Sequence, residues 1–175
     1  MPAAVHAFCH AVPDTWHQMG VILSATDSLE WLAGVTGQRR RRKLTGAAWH
    51  QAQGPIACAL PALSLGRTHP VGDAQVRGLI MGLSHETDPR LLTHAVLDAV
   101  AFAFRDSLEA LKDAGTEVKR VIAVGGGSKS ELWLKIIATV LGVPVDLPAA
   151  AMSAGPSALH RLGLIAATGA DYRSR

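Results

Sequence analysis

A chain of 175 residues that is 49% hydrophobic and 18% charged can bury a core and carries too little charge to remain disordered. Aromatic residues make up 5%, so that core must be built from Ala, Val, Leu and Ile. The net charge of +3 is concentrated in one run, Arg39-Arg40-Arg41-Arg42-Lys43, which has no aromatic residues interleaved. A base-stacking nucleic-acid surface is therefore not signalled, and the run reads as a solvated loop.

Cys9 and Cys58 show no CxxC spacing and no disulfide framework, which fits reduced thiols. No basic stretch followed by an apolar one opens the chain, and no run of about 18 apolar residues could cross a membrane. The expectation is a soluble, cytoplasmic protein with neither nucleic acid nor membrane as a partner.

Taken in chain order, residues 8–23 alternate short apolar runs with His, Pro and Gly, which suits strands and turns. "SATDSLEWLAGVTG" predicts a helix capped by Ser24 with Asp27 three residues on. Leu29, Trp31, Leu32 and Val35 are its apolar positions and Gly37 is its stop. Residues 38–60 show no clear period and suggest a loop or ill-defined hairpin. "PIACALPAL" at 55–63 reads as a short buried strand, and 64–75 as loop. The segment 91–115 is the strongest helix signal. Leu97, Val100, Ala101, Phe104, Leu108 and Leu111 define one apolar face, Asp98, Arg105, Glu109 and Lys112 the other side, and Gly115 the end. A strand over 121–124, a glycine turn, a helix over 130–141 and a strand in "VPVDL" complete a βαβ rhythm. In that helix Leu132, Trp133, Ile136, Ile137 and Val140 form the buried face, and Gly142 ends it. The class is α/β, with at least part of the sheet parallel.

The chemistry-bearing stretch is "VIAVGGGSKSELW", 121–133. Glycines between a strand end and a helix start let a ligand approach the backbone, and the helix N-terminus offers unpaired N–H groups and partial positive charge. The pattern alone leaves two readings open, a nucleotide site or simply close helix packing. It is not a Walker loop, because Ser128 separates the glycines from Lys129. It is not G-x-G-x-x-G either, because position 130 is Ser. His6, Cys9, His10 and His17 cluster loosely but match no structural zinc spacing. Ser64, Ser128 and Ser157 lack a G-x-S-x-G context. Asp98 reads as a solvated carboxylate before a catalytic one.

Several segments in order resemble one family. "HAFCHAVPDTWHQMGVILSATDSLEWLAGVTG" (6–37), "RGLIMGLSHETDPRLLTHAVLDAVAFAFRDSLEALKDAG" (77–115) and "VIAVGGGSKSELWLKIIATVLGVPVDLP" (121–148) look like the FGGY carbohydrate kinases, and within them the xylulokinases. Cys9-His10-Ala11-Val12-Pro13 followed by Trp16-His17-Gln18-Met19-Gly20-Val21 separates that branch from glycerol kinases. The resemblance implies the C-terminal part of an actin-like ATPase (ribonuclease H-like) sugar-kinase domain, incomplete on its N-terminal side, over residues 1–175. It implies transfer of a phosphoryl group from ATP, with Mg2+, to D-xylulose, giving D-xylulose 5-phosphate. "GGGSKS" is then the adenosine motif, with Gly125, Gly126 and Gly127 passing close to the nucleotide and Ser130 near the adenine. A dimer of the intact enzyme is compatible with it.

The family's catalytic Asp, sugar-binding residues and phosphate loops lie upstream of the first matching segment, so no catalytic residue is assigned in this chain. The chain alone is expected to be inactive. A reading from a different class is a non-catalytic remnant or partner-binding module, and a sister kinase for gluconate or another pentulose is a further one. Residues 38–76 and 149–162 depart from the family pattern. Within the latter, Ala151-Met152-Ser153 and Ser157-Ala158-Leu159-His160 are what one choice of codons for the family's Gly-rich motif would spell if read one base out of frame. Residues 151–160 are therefore read as frame-shifted between two compensating indels.

Overall fold

The computed structural model describes residues 5–22, 25–38, 58–60 and 78–147, the short 58–60 piece by its backbone. In chain order these are β1 (His6–Cys9), β2 (Trp16–Met19), α1 (Asp27–Val35), β3 (Cys58–Leu60), β4 (Leu79–Met81), α2 (Pro89–Asp113), β5 (Val121–Ile122), a 3-10 turn (Gly126–Lys129), α3 (Glu131–Leu141) and β6 (Val145–Asp146). Among the described residues the strands form three pairs. β1–β2 and β3–β4 are antiparallel, and β5–β6 is parallel, joined through α3.

The first pair is a hairpin in which His6 faces Met19 and Cys9 faces Trp16. His10 N–H donates to the Thr15 carbonyl at 2.8 Å, and Asp14 turns the chain at φ 55, a conformation Asp tolerates better than most residues. The hairpin is tied to the far end of α2. A Cβ on Gly20 would come within 3.0 Å of the Ser107 Cβ, and Thr116 Oγ1 hydrogen-bonds Gln18 Oε1.

α1 buries Ser28, Leu29, Leu32 and Ala33. Trp31 and Val35, expected on that face, are 42% and 65% exposed. The buried stripe is narrower than the sequence suggested: Leu29 and Leu32 reach the core shared with α2 and α3, and Trp31 and Val35 do not. The expected cap Ser24 lies outside the described residues; Thr26 holds the N-cap position without a side-chain bond. Gly37, at φ 68, ends the helix. Its N–H reaches the Gly34 carbonyl and the Gln38 N–H the Ala33 carbonyl, the paired bonds of a Schellman stop.

α2 starts two residues earlier than predicted because Asp88 caps it. Its Oδ1 accepts from the N–H groups of Arg90 and Leu91, each at 2.9 Å, and Pro89 supplies the first helical position. The single apolar face expected here is too narrow a description. Val96, Leu97 and Val100 join Leu29 and Leu32 of α1 and Leu132 and Trp133 of α3 in the main core. Ala95 and Ala99 pack on Ile80 of β4, and β3 also lies against this helix. α2 is thus buried from two sides, and its alanines let the strands come close. The hydroxyls of Thr93 and Ser107 meet the cost of burial by donating to the carbonyls of Pro89 and Ala103. Each fully buried Leu or Val contributes about 1.5–3 kcal/mol, so among the described residues this three-helix junction is the main stabilising element. Gly115, at φ 90, closes α2 with a second Schellman pair, to Lys112 and Leu111.

The strand read from "PIACALPAL" is β3, three residues long. The loop reading at 64–75, the basic run at 39–43 and the departures at 149–162 fall outside the described residues, as does most of 38–76.

Candidate functional site

The parallel pair β5–β6 sets the frame of the glycine turn. Val121 lies opposite Val145 and Ile122 opposite Asp146. The N–H of Val121 donates to the Pro144 carbonyl, and that of Ala123 to the Asp146 carbonyl, at 2.8 and 2.9 Å. Regular strand geometry stops at Ile122, earlier than the expected residue 124, and Ile122 and Val124 are 51% and 56% exposed. The chain then swings through Gly125 at φ 91 and ψ −170, which a side chain would resist.

A tight 3-10 turn follows. The Ser128 N–H and Oγ both donate to the Gly125 carbonyl, at 3.3 and 2.7 Å, and the Ser130 N–H donates to the Gly127 carbonyl at 3.1 Å. Ser130 then caps α3, its Oγ accepting from the Trp133 N–H at 3.3 Å. Gly125, Gly126, Gly127 and Ser130, the four residues singled out in the sequence, therefore meet in one turn. The three glycines are not equivalent. A Cβ on Gly125 or Gly126 would meet no described atom within 4 Å, whereas one on Gly127 would stand 2.8 Å from Cζ3 of Trp133. Among the described residues nothing stands against the first two glycines, and the third is fixed by the protein's own packing.

Lys129 is exposed on the turn, and Glu131 opens α3. Lys135 binds Glu131 at 2.7 Å, and that hydrogen bond, then the Lys135 charge, lowers the Glu131 carboxyl below its usual range. Trp133 is buried, and its Nε1 finds no hydrogen-bond partner among the described residues. An orphaned buried donor costs about 1–3 kcal/mol. Sequence reasoning took Trp133 only as a core residue; its contact with Gly127 crosses a turn and a helix start, which no period reveals.

The other candidates do not join this site. His10 and His17 bring their rings to 5.7 Å edge-on, but strand alternation puts Cys9 on the opposite face of the hairpin from His6 and His17. No group of three or more His, Cys, Asp or Glu side chains among the described residues could hold a metal ion. Asp98 is not the solvated carboxylate expected. Its side chain is 24% exposed and pairs with His94 Nδ1 at 3.1 Å, one helical turn away, a spacing that was readable in the sequence. Burial pushes the Asp98 carboxyl up, against the opposing His94 charge and hydrogen bond. Ser128 is bound to Gly125, and Ser64 and Ser157 are outside the described residues. No helix among the described residues is long and apolar enough to cross a membrane.

Comparison with known proteins shows the family. Residues 1–156 match the C-terminal domain of the FGGY family of carbohydrate kinases. The chain belongs to that family. Within the FGGY kinases it is 38% identical over 146 residues to the xylulose kinase of Escherichia coli K12, covering 82% of this chain and 30% of that protein. Among solved structures it is similar to one described as a xyloylose kinase from Brucella ovis. The TM-score is 0.81 and the identity 51%, over 97% of this chain and 35% of that one. The xylulose kinase of Rhodospirillum rubrum matches with a TM-score of 0.65 and 29% identity, over 82% of this chain and 29% of that one. The fold is thus the C-terminal part of an actin-like sugar-kinase domain, as the resemblance implied. The chain spans about a third of the length of these FGGY relatives.

Proposed function

We propose that residues 125–130 form the adenosine side of an ATP site, in a kinase that transfers the γ-phosphoryl group of ATP to a hydroxyl of D-xylulose, giving D-xylulose 5-phosphate. The observation that carries this reading is the open face of the glycine turn. Among the described residues nothing covers Gly125 and Gly126 at the end of a parallel strand, just before the N-terminus of α3. A planar base and ribose can lie on backbone there, and the helix end favours the negative charge of the attached phosphates. The xylulose kinases that match most of the chain support D-xylulose as the substrate.

Phosphoryl transfer depends on positioning and on stabilising charge around the γ-phosphate, with a base near the attacking hydroxyl. The described residues supply the first part only. Gly125 and Gly126 present backbone, and Ser130 is held as the helix cap beside the adenine position. Among the described residues no carboxylate cluster fits the Mg2+ that the resemblance implies. Acting on a soluble sugar and ATP, such a kinase is placed in the cytoplasm.

Two measurements on the 175-residue chain test this. Calorimetric titration should show ATP binding, and a coupled assay for ADP release should show no turnover of D-xylulose. Failure to bind ATP contradicts the site assignment; robust turnover contradicts the assignment of no catalytic base to these residues.

A further inference from the structure

The glycine turn has an inner face as well as an outer one, and the inner face rests on a tryptophan. A Cβ on Gly127 would stand 2.8 Å from Cζ3 of Trp133, 3.3 Å from Cε3 and 3.7 Å from Cη2. These atoms form one edge of the six-membered ring, so that edge is the floor beneath Gly127. Gly127 is not among the glycines with positive φ, so its backbone would accept a side chain; the ring is what excludes one. The backbone of Trp133 touches the same turn, through its N–H bond to Ser130 Oγ. The indole is 5% exposed and packs with Leu29, Leu32, Val96, Leu97 and Val100 of the two other helices.

We propose that Trp133 is the positioning residue of the nucleotide turn. Held by three helices, its ring edge fixes the height at which Gly125 and Gly126 present their backbone to the nucleotide. The inference rests on the nucleotide reading above and assigns the residue that shapes that site without touching the ligand.

The test is the ATP dissociation constant of the full chain, measured by calorimetry for the wild type, Gly127→Ala, Trp133→Leu and the double variant. Each single change should weaken ATP roughly tenfold, about 1.4 kcal/mol. The double variant should recover to within about threefold of wild type, because Leu withdraws the edge that the alanine methyl would strike. Recovery of affinity is the readout that a merely structural role does not move. Wild-type affinity in Gly127→Ala, or no recovery in the double variant, overturns the proposal. If Trp133→Leu does not fold, 5-fluorotryptophan places a fluorine on Cζ3 itself. Its Trp133 resonance, assigned as the line missing from Trp133→Phe, should shift on saturation with ATP, and an unmoved line overturns the proposal. Absence of ATP binding by the wild-type chain refutes the nucleotide reading and this inference together. Binding that is indifferent to both residues refutes the inference alone.

Discussion

Arg105 donates from Nη1 to the carbonyl oxygen of Leu141 at 3.1 Å, and so closes the C-terminal end of α3 with a side chain from α2. The same nitrogen reaches the Val140 carbonyl at 3.1 Å, while Nε pairs with Glu109 at 2.6 Å. The last carbonyls of a helix have no partners within it and carry partial negative charge, so a guanidinium is well matched to both needs. Arg105→Met should lower stability by about 1–2 kcal/mol, and Arg105→Lys should restore little of it, because an ammonium lacks the fork that serves two carbonyls and a carboxylate at once. Urea unfolding midpoints check this; a Lys variant as stable as wild type would show that charge alone suffices.

The three glycines should respond to alanine in three different ways. Gly126→Ala meets no described atom and is not at positive φ, so stability should hold within about 0.5 kcal/mol while ATP affinity falls. Gly125→Ala forces a side chain into φ 91 and should cost about 1–3 kcal/mol in stability. Gly127→Ala should affect both quantities through Trp133. Thermal melts with parallel ATP titrations separate the cases, and equal behaviour of all three would contradict the two-faced description of the turn.

Much of this architecture was legible in the sequence because single residues impose it. Gly37, Gly115 and Gly142 stop their helices at positive φ where an L side chain is strained, and all three stops fall where they were read. The parallel βαβ unit followed from the apolar runs on either side of the glycine turn. The two-sided burial of α2 was not legible, because Thr93, Ala95 and Ala99 look neutral in a periodic count. The burial of Ala95 and Ala99 comes from β4, a tertiary contact, while the hydroxyl of the buried Thr93 is satisfied within the helix by the Pro89 carbonyl. Trp31 and Val35 misled in the opposite direction, since apolar character at helical spacing does not ensure a partner. Asp88 before Pro89 was a readable cap signal. The four turn residues could be named from sequence; that Ser130 Oγ is engaged in capping and Gly127 lies against an indole could not.

The Asp98 carboxyl gives a pH signature. Burial holds its pKa above the ordinary carboxylate value of about 4, so the folded chain binds this proton more tightly than the unfolded one. Stability from this group is therefore greatest below the ordinary value and is lost as pH rises through the raised one. Asp98→Asn should melt higher than wild type at pH 7, with the advantage disappearing towards pH 3. A lower melting temperature for the variant at pH 7 would show that the pairing with His94 outweighs burial. Asp106 is pushed up by burial as well, so the effect is read as the difference between variant and wild type.

For residues 151–160 the expectation is genetic. Resequencing should find a Gly-rich family reading one base away, bounded by two compensating indels. An uninterrupted frame with no such motif in the neighbouring register would contradict it.

Backbone amide NMR of the chain titrated with ATP measures directly whether the nucleotide meets the outer face of the glycine turn. The prediction is that the largest shifts fall on Gly125, Gly126, Ser128 and Ser130, with smaller ones reaching Trp133 and the first turn of α3. Saturating ATP that leaves these amides unmoved, or that shifts only residues distant from the turn such as the β1–β2 hairpin, would contradict it.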